Sequence, residues 1–149
     1  MNHRAEAEPR CVTTYEVMFF DTDCGGVVHN LAYLRIIEVA RTRLGQELGL
    51  TLQEMTATRR FPVVLRTEID YRKPAGLGDV LSVQARLESL ERVRFTCAFE
   101  LFRAPAELMA SSRQTLALVD MPEAKVARLP ESWATRWPGL VQRGRIIAR

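Results

Sequence analysis

The sequence predicts one α+β domain in which a long helix covers a face of an antiparallel sheet. Three observations carry this expectation. A segment rich in β-branched and aromatic residues opens the chain, a stretch with helical spacing follows over residues 30–48, and four strand-like segments come after it with no second long helix. The length of 149 residues suits a single domain, and 47% apolar residues are enough for one ordinary core.

Residues 11–20 (CVTTYEVMFF) read as the first strand, with Tyr15, Val17 and Phe19 on one face. Asp21 to Gly26 (DTDCGG) form a turn cluster. In the helical stretch, Tyr33, Ile37, Ala40 and Leu44 recur at three- and four-residue intervals, and Leu34, Ile36 and Val39 broaden the apolar face. Gly49 stops the helix. Residues 51–60 read as a loop with room for a short helix. The later strands are expected over 63–71, 80–90, 93–102 and 108–119, with reversals at Glu91-Arg92 and Ala104-Pro105-Ala106. Leu81, Val83, Ala85 and Leu87 alternate with polar neighbours, as a strand with one buried face requires. Beyond Pro122 the pattern weakens, although Trp133 and Trp137 can pin the tail to the body.

Composition excludes several function classes. Cys11, Cys24 and Cys97 are odd in number and lack CxxC spacing, which argues against a disulfide framework and a cysteine zinc site. His3 and His29 have no ligand-like spacing, so neither a metal nor a cofactor is expected. Residues 1–9 are polar, with no apolar run behind them, and no stretch approaches a membrane span; a cytoplasmic protein without a membrane partner is expected. The net charge of +3 is concentrated in Lys125, Arg128, Arg136, Arg143, Arg145 and Arg149, against Glu131 alone. That run is either a solvated tail or a surface that meets phosphates. Without zinc-finger spacing, an RNP-like motif or a basic amphipathic helix, nucleic acid is not the expected partner.

The stretch from Phe20 to Arg41 carries the chemistry. It sets two carboxylates, Asp21 and Asp23, in a turn where Gly25 and Gly26 allow positive φ and close approach of a ligand. The helix that follows presents unpaired N–H groups and the positive end of its dipole, suited to an oxygen that gains charge. Together these could serve acyl transfer. The same residues also fit simple helix capping, and physics alone leaves both readings open.

The stretch resembles the signature of the hotdog-fold thioesterases of the 4-hydroxybenzoyl-CoA and acyl-CoA thioesterase group. The matching positions are Phe20 (displaced by one), Asp21, Asp23, Gly26, Val28, Tyr33, Glu38 and Arg41. A second family feature recurs in Tyr71-Arg72-Lys73-Pro74-Ala75 with Gly78-Asp79, and the late strand and Leu129-Pro130 also fit. The resemblance implies a long helix wrapped by a five-stranded antiparallel sheet over residues 11–131, flanked by a flexible 1–10 and a basic extension over 132–149. It further implies a homodimer or homotetramer joined edge to edge, with active sites at the subunit interface. By the same resemblance Asp23 is the catalytic carboxylate, the backbone N–H of Asn30 polarises the thioester carbonyl, and Gly26 shapes the pocket. Relatives often carry Tyr or His where this chain has Asn30, so an imidazole mechanism at that position is not expected here.

The implied substrate is an acyl-CoA thioester or an acyl group on a carrier protein; a non-catalytic acyl-binding module is the alternative of another class. His29 is either a general base or substrate contact, or a helix-entry residue bonded to backbone. Asp21 is read as holding the turn, and Glu38 and Arg41 as a structural pair. A Cys24 nucleophile with His29 as base lacks an orienting third group. Val28 is read as pocket lining, and Met18, Phe19 and Met55 as core or acyl-pocket lining. Arg59, Arg60, Arg72 and Lys73, with Arg92 and Arg94 behind them, are candidates to meet the phosphates of coenzyme A.

Overall fold

The structure, a computed structural model, describes residues 6–143. Strand β1 (Arg10–Glu16) leads through a single 3-10 turn (Phe19–Asp21) into helix α1 (Asn30–Glu47), then a short helix α2 (Leu52–Thr58). Four long strands follow: β2 (Arg60–Tyr71), β3 (Val80–Leu90), β4 (Arg94–Arg103) and β5 (Glu107–Asp120). A short strand β6 (Lys125–Ala127), helix α3 (Glu131–Arg136) and a second 3-10 turn (Pro138–Leu140) complete the chain as described.

The strands form one antiparallel sheet in the order β1-β3-β4-β5-β2. The expected five strands therefore gain a sixth. β4 meets β5 only as far as Ala117, and β6 pairs with Leu118, Val119 and Asp120 just beyond that point. Three residues satisfy the ladder there, a segment too short to leave a periodic signal in the sequence.

α1 lies across the concave face and contacts β1 and β3 most heavily. Its buried residues are Ala32, Tyr33, Ile36, Ile37, Ala40 and Leu44, which face Leu81, Val83, Ala85 and Leu87 of β3 and Phe95, Cys97, Phe99 and Leu101 of β4. The strand alternation is the one the sequence predicts, and so is the Tyr33, Ile36, Ile37, Ala40 and Leu44 part of the helix face; Leu34 and Val39, expected to broaden it, are instead exposed. The first strand is shorter than expected. It ends at Glu16, and the 3-10 turn swings Phe19 out to 81% exposure while Val17 stays in the core. Phe19 and Met18 are thus surface residues in the single chain, not core.

The opposite edge of the sheet is open. β2 pairs only with β5, carries a bulge between Val64 and Arg66, and leaves Val63, Val64 and Leu65 exposed. Because α1 is centred over β1 and β3, it shields little of this strand, and the slot between α1 and β2 is where the cavities of the concave face open.

Both flanking segments, as far as they are described, bond to the domain. Pro9 accepts from Leu87 N–H at 3.0 Å, and Glu6 is joined to Arg136 by a backbone bond of 3.1 Å and an ion pair of 2.8 Å. Trp133 is buried edge-on against Phe95, with ring centroids 5.3 Å apart, and donates its indole N–H to the Leu48 carbonyl at 3.2 Å. Trp137 and Leu140 are buried beside it. Arg145 and Arg149 of the basic run, and His3, lie outside the described residues.

Candidate active site

The loop between β1 and α1 is organised by Asp21, whose side chain is fully buried. Its carboxylate accepts from the Tyr15 hydroxyl at 2.9–3.0 Å and from Met18 N–H at 2.9 Å, and its backbone carbonyl accepts from His29 N–H at 2.7 Å. Arg35, mostly exposed, approaches to 3.8 Å. One residue thus ties the end of β1, the 3-10 turn and the start of α1 together, as the sequence reading of Asp21 expects.

Asp23 lies in the next turn of chain and is exposed. Its N–H donates to Val27 O at 2.9 Å, and Gly26 N–H returns to Asp23 O at 3.0 Å. Gly26 adopts φ +76°, the left-handed conformation that a side chain would strain. Asp23 Oδ1 accepts from Gly25 N–H at 2.8 Å, whereas Oδ2 has no hydrogen-bond partner among the described residues. Bridges from Thr22 to Val28 and from Val27 to Gly76, with Val28 N–H on Ala75 O at 2.8 Å, clamp this loop to the Pro74–Gly76 segment.

His29 is the N-cap of α1. Its Nδ1 accepts from Leu31 N–H at 3.1 Å. The helix-entry bond of the sequence reading is therefore present, and it engages the Nδ1 that a pair with Cys24 would use. Asn30 is the first helical residue. Its N–H has no carbonyl one turn back to meet and no other acceptor among the described residues.

Asp23, Val28, Asn30, Tyr33, Tyr71, Arg72, Lys73 and Pro74 line one open groove of about 340 Å³. The fold thus gathers Asp23, Asn30, Val28, Arg72 and Lys73 from segments more than forty positions apart. Gly26 is not among the residues lining the groove; it lies in the turn that carries Asp23. Tyr33, read from the sequence as a helix-face and motif position, and Tyr71, read only as a motif position, form an aromatic wall with centroids 5.3 Å apart. Tyr33 is buried and accepts from Ala75 N–H at 3.4 Å; burial pushes its hydroxyl pKa up. Lys73 lies 3.5 Å from Glu107, and Glu107 also bonds Arg103. Arg103 in turn meets Asp79 at 2.9 Å, whose carboxylate accepts from Gly76 N–H at 2.8 Å. The Gly76 and Arg103 bonds hold the Asp79 carboxyl below its usual range, and this charge chain anchors the Lys73–Gly76 wall.

Arg59 and Arg60 do not reach this groove in the same chain. They stand at the start of β2 while Tyr71 ends it, and eleven strand steps span about 35 Å. Arg59 caps α2 in a left-handed conformation, and Arg60 pairs with Asp120 at 2.7 Å. Arg94 pairs with Glu91 at the far turn of the β3–β4 hairpin.

A second, more enclosed and apolar cavity of about 270 Å³ lies at the other end of α1. Leu44, Leu48, Met55, Phe61, Phe95 and Leu116 line it, with Glu38 and Arg41 at its rim. The Glu38–Arg41 pair forms at 3.6 Å, and Arg41 also donates to the buried Gln114 at 2.5 Å. Cys97 borders this cavity, but burial pushes its thiol up to about 12, so it stays protonated and is no nucleophile. The cavity has greater enclosure, whereas the groove holds a carboxylate oxygen and an N–H that are both unengaged among the described residues.

Comparison with known proteins agrees with the fold. Residues 17–137 match the family described as the thioesterase-like superfamily. The chain is 29% identical over 116 residues to the acyl-CoA thioester hydrolase YbgC of Escherichia coli O6:H1, covering 78% of this chain and 87% of that one. It is 32% identical over 126 residues to a 1,4-dihydroxy-2-naphthoyl-CoA hydrolase of Synechocystis, covering 82% and 91%. The crystal structure of Slr0204, a 1,4-dihydroxy-2-naphthoyl-CoA thioesterase from Synechocystis, superposes with a TM-score of 0.75 at 28% identity, covering 88% of this chain and 97% of that one.

Replacing Asp21 by Ala strands the Tyr15 hydroxyl and Met18 N–H without their acceptor. A loss of roughly 2 kcal/mol is expected in urea unfolding. Tyr15→Phe, which removes one donor and leaves the carboxylate its Met18 bond, should cost less.

Proposed function

The chain belongs to the thioesterase-like superfamily and has the hotdog fold, and on that premise we propose that it hydrolyses an acyl-coenzyme A thioester with Asp23 at the reaction centre. The observation that carries the reading is the pairing, in one groove, of a carboxylate with a free Oδ2 and a helix N-terminus with a free N–H. The relatives named as acyl-CoA thioester hydrolases support the reaction class.

In this mechanism the thioester carbonyl oxygen takes the Asn30 N–H, where the helix dipole favours the charge that develops as the carbonyl is attacked. By one route Asp23 Oδ2 forms the new C–O bond, the C–S bond breaks, and the thiolate leaves with the electron pair. Water then cleaves the mixed anhydride to the free acid and restores the carboxylate. By the other, Asp23 takes a proton from water as the water attacks, and the thiolate leaves to collect a proton. A thiol ionises near pH 8.5, so neither route needs a strong acid to assist departure. Arg72 and Lys73 on the groove wall are placed to meet phosphate oxygens of the carrier.

The reading extends to assembly. β2 is a twelve-residue edge strand with one unpaired side and exposed Val63, Val64 and Leu65, the kind of edge on which a second copy pairs. A homodimer or a tetramer built from it is expected, with the open α1–β2 slot covered at the interface. Sedimentation should give a dimer or tetramer for the wild type and a shift to monomer for Val64→Lys; a monomeric, fully active wild type would remove the assembly claim.

Free-thiol release should be measured on aromatic, short-chain and long-chain acyl-CoA esters, for the wild type and Asp23→Asn. At least one ester should turn over, and the folded mutant should lose about 10²-fold or more in kcat. Robust turnover by the mutant would remove Asp23 from the chemistry. A wild type idle on every coenzyme A ester, but active on acyl carrier protein, would move the substrate to the carrier-protein class; idleness on both would leave an acyl-binding module.

A further inference from the structure

An oxyanion donor must be held still, and the donor assigned here is the least restrained kind of backbone group. The first turn of a helix lacks half of its hydrogen bonds and is where fraying starts. On the loop side, Asn30 is held through its neighbour: His29 N–H bonds Asp21 O at 2.7 Å, and the His29 ring caps Leu31. On its other side one contact from outside the helix reaches it, the Tyr71 hydroxyl, which donates to the Asn30 carbonyl at 3.1 Å.

Tyr71 is well mounted for that task. It is the last residue of β2, in register with Ala110, and the next two residues fasten the strand end, since Arg72 and Lys73 N–H both donate to Met109 O at 2.9 and 3.1 Å. Its ring packs edge-on against Tyr33, which is buried in α1. Yet Tyr71 itself is 52% exposed and lines the groove beside Asp23, so the core does not need its hydroxyl. The bond joins the end of β2 to the first turn of α1, beside the groove that Asn30 and Tyr33 line.

We propose that Tyr71 is a positioning residue for hydrolysis: its hydroxyl, bonded to the Asn30 carbonyl, fixes the first turn of α1 so that the Asn30 N–H is aimed at the thioester carbonyl. The inference rests on the hydrolase reading above and deepens it. Donor placement errors near 1 Å reduce rates by as much as about 10²-fold, so an indirect tether of this type has a kinetic effect out of proportion to one hydrogen bond.

The test is Tyr71→Phe, which keeps the ring, the packing on Tyr33 and the strand register. A kcat reduced about tenfold or more is expected, with KM changed less than about threefold, because the tether acts on the developing oxyanion and not on ground-state binding. A purely structural hydroxyl would not move a second readout, the carbonyl stretching band of a thioester bound to the Asp23→Asn protein. That band should lie at lower frequency than in solution and move back toward the solution value when Tyr71→Phe is added. If Tyr71→Phe is less stable, the band measured well below its melting temperature decides the matter. Unchanged kcat, an unmoved band, or a raised KM at constant kcat would each overturn the role of Tyr71 while leaving the hydrolase reading intact. A wild type that releases no thiol from any thioester would instead overturn that reading, and this inference with it.

Discussion

A buried carboxylate holds this site together. Asp21 is removed from water completely, a placement tolerated only because the Tyr15 hydroxyl and Met18 N–H bond its oxygens and Arg35 stands nearby. Its backbone carbonyl also receives His29 N–H, so the same residue sets where α1 begins. With that point fixed, the five residues from Asp23 to Val27 have little choice of path. They close a tight turn with Gly26 in the left-handed region, and Asp23 is left at the surface with one oxygen bonded and one free. Two aspartates separated by one residue thus take opposite roles because one is buried and saturated and the other is neither.

The same asymmetry runs through the sheet. On the β1–β3 side the helix is packed down on alternating apolar residues, and the structure is closed. On the β2 side the slot beneath the helix stays open, and every group assigned to binding or chemistry lies along it or at its end. The Lys73–Glu107–Arg103–Asp79 chain stiffens the lower wall of the groove from outside the core. A rigid half thus holds the frame, and the open half remains accessible to substrate and, in the assembly proposed, to a second copy.

Much of this was legible in the sequence, for identifiable reasons. The spacing of Tyr33, Ile37, Ala40 and Leu44 located α1, and the strict alternation from Leu81 to Leu87 located β3, because each has one buried face of the right period. Asp23, Asn30, Val28, Arg72 and Lys73 fall in two short motifs that the fold brings to one groove. What escaped lacked such a signal. β6 and α3 are three and six residues long, too short for periodicity, and are held by pairing and by Trp133. Phe19 was misplaced because nothing marks Glu16 as the end of β1. Arg59 and Arg60 entered the reading as counted charges, and the length of β2 that separates them from Tyr71 within one chain is not visible in the sequence. Tyr71 was visible as a motif letter, whereas its bond to Asn30 exists only in three dimensions.

The most direct test of the central claim is a crystal structure with an inert analogue in which a methylene replaces the thioester sulfur. The analogue's carbonyl oxygen should lie within about 3 Å of Asn30 N, with its carbonyl carbon facing Asp23 and its phosphates toward Arg72 and Lys73. A carbonyl seated instead in the apolar cavity between Leu44, Phe61 and Leu116, with Asp23 untouched by the ligand or by its partner-bound copy, would contradict that claim.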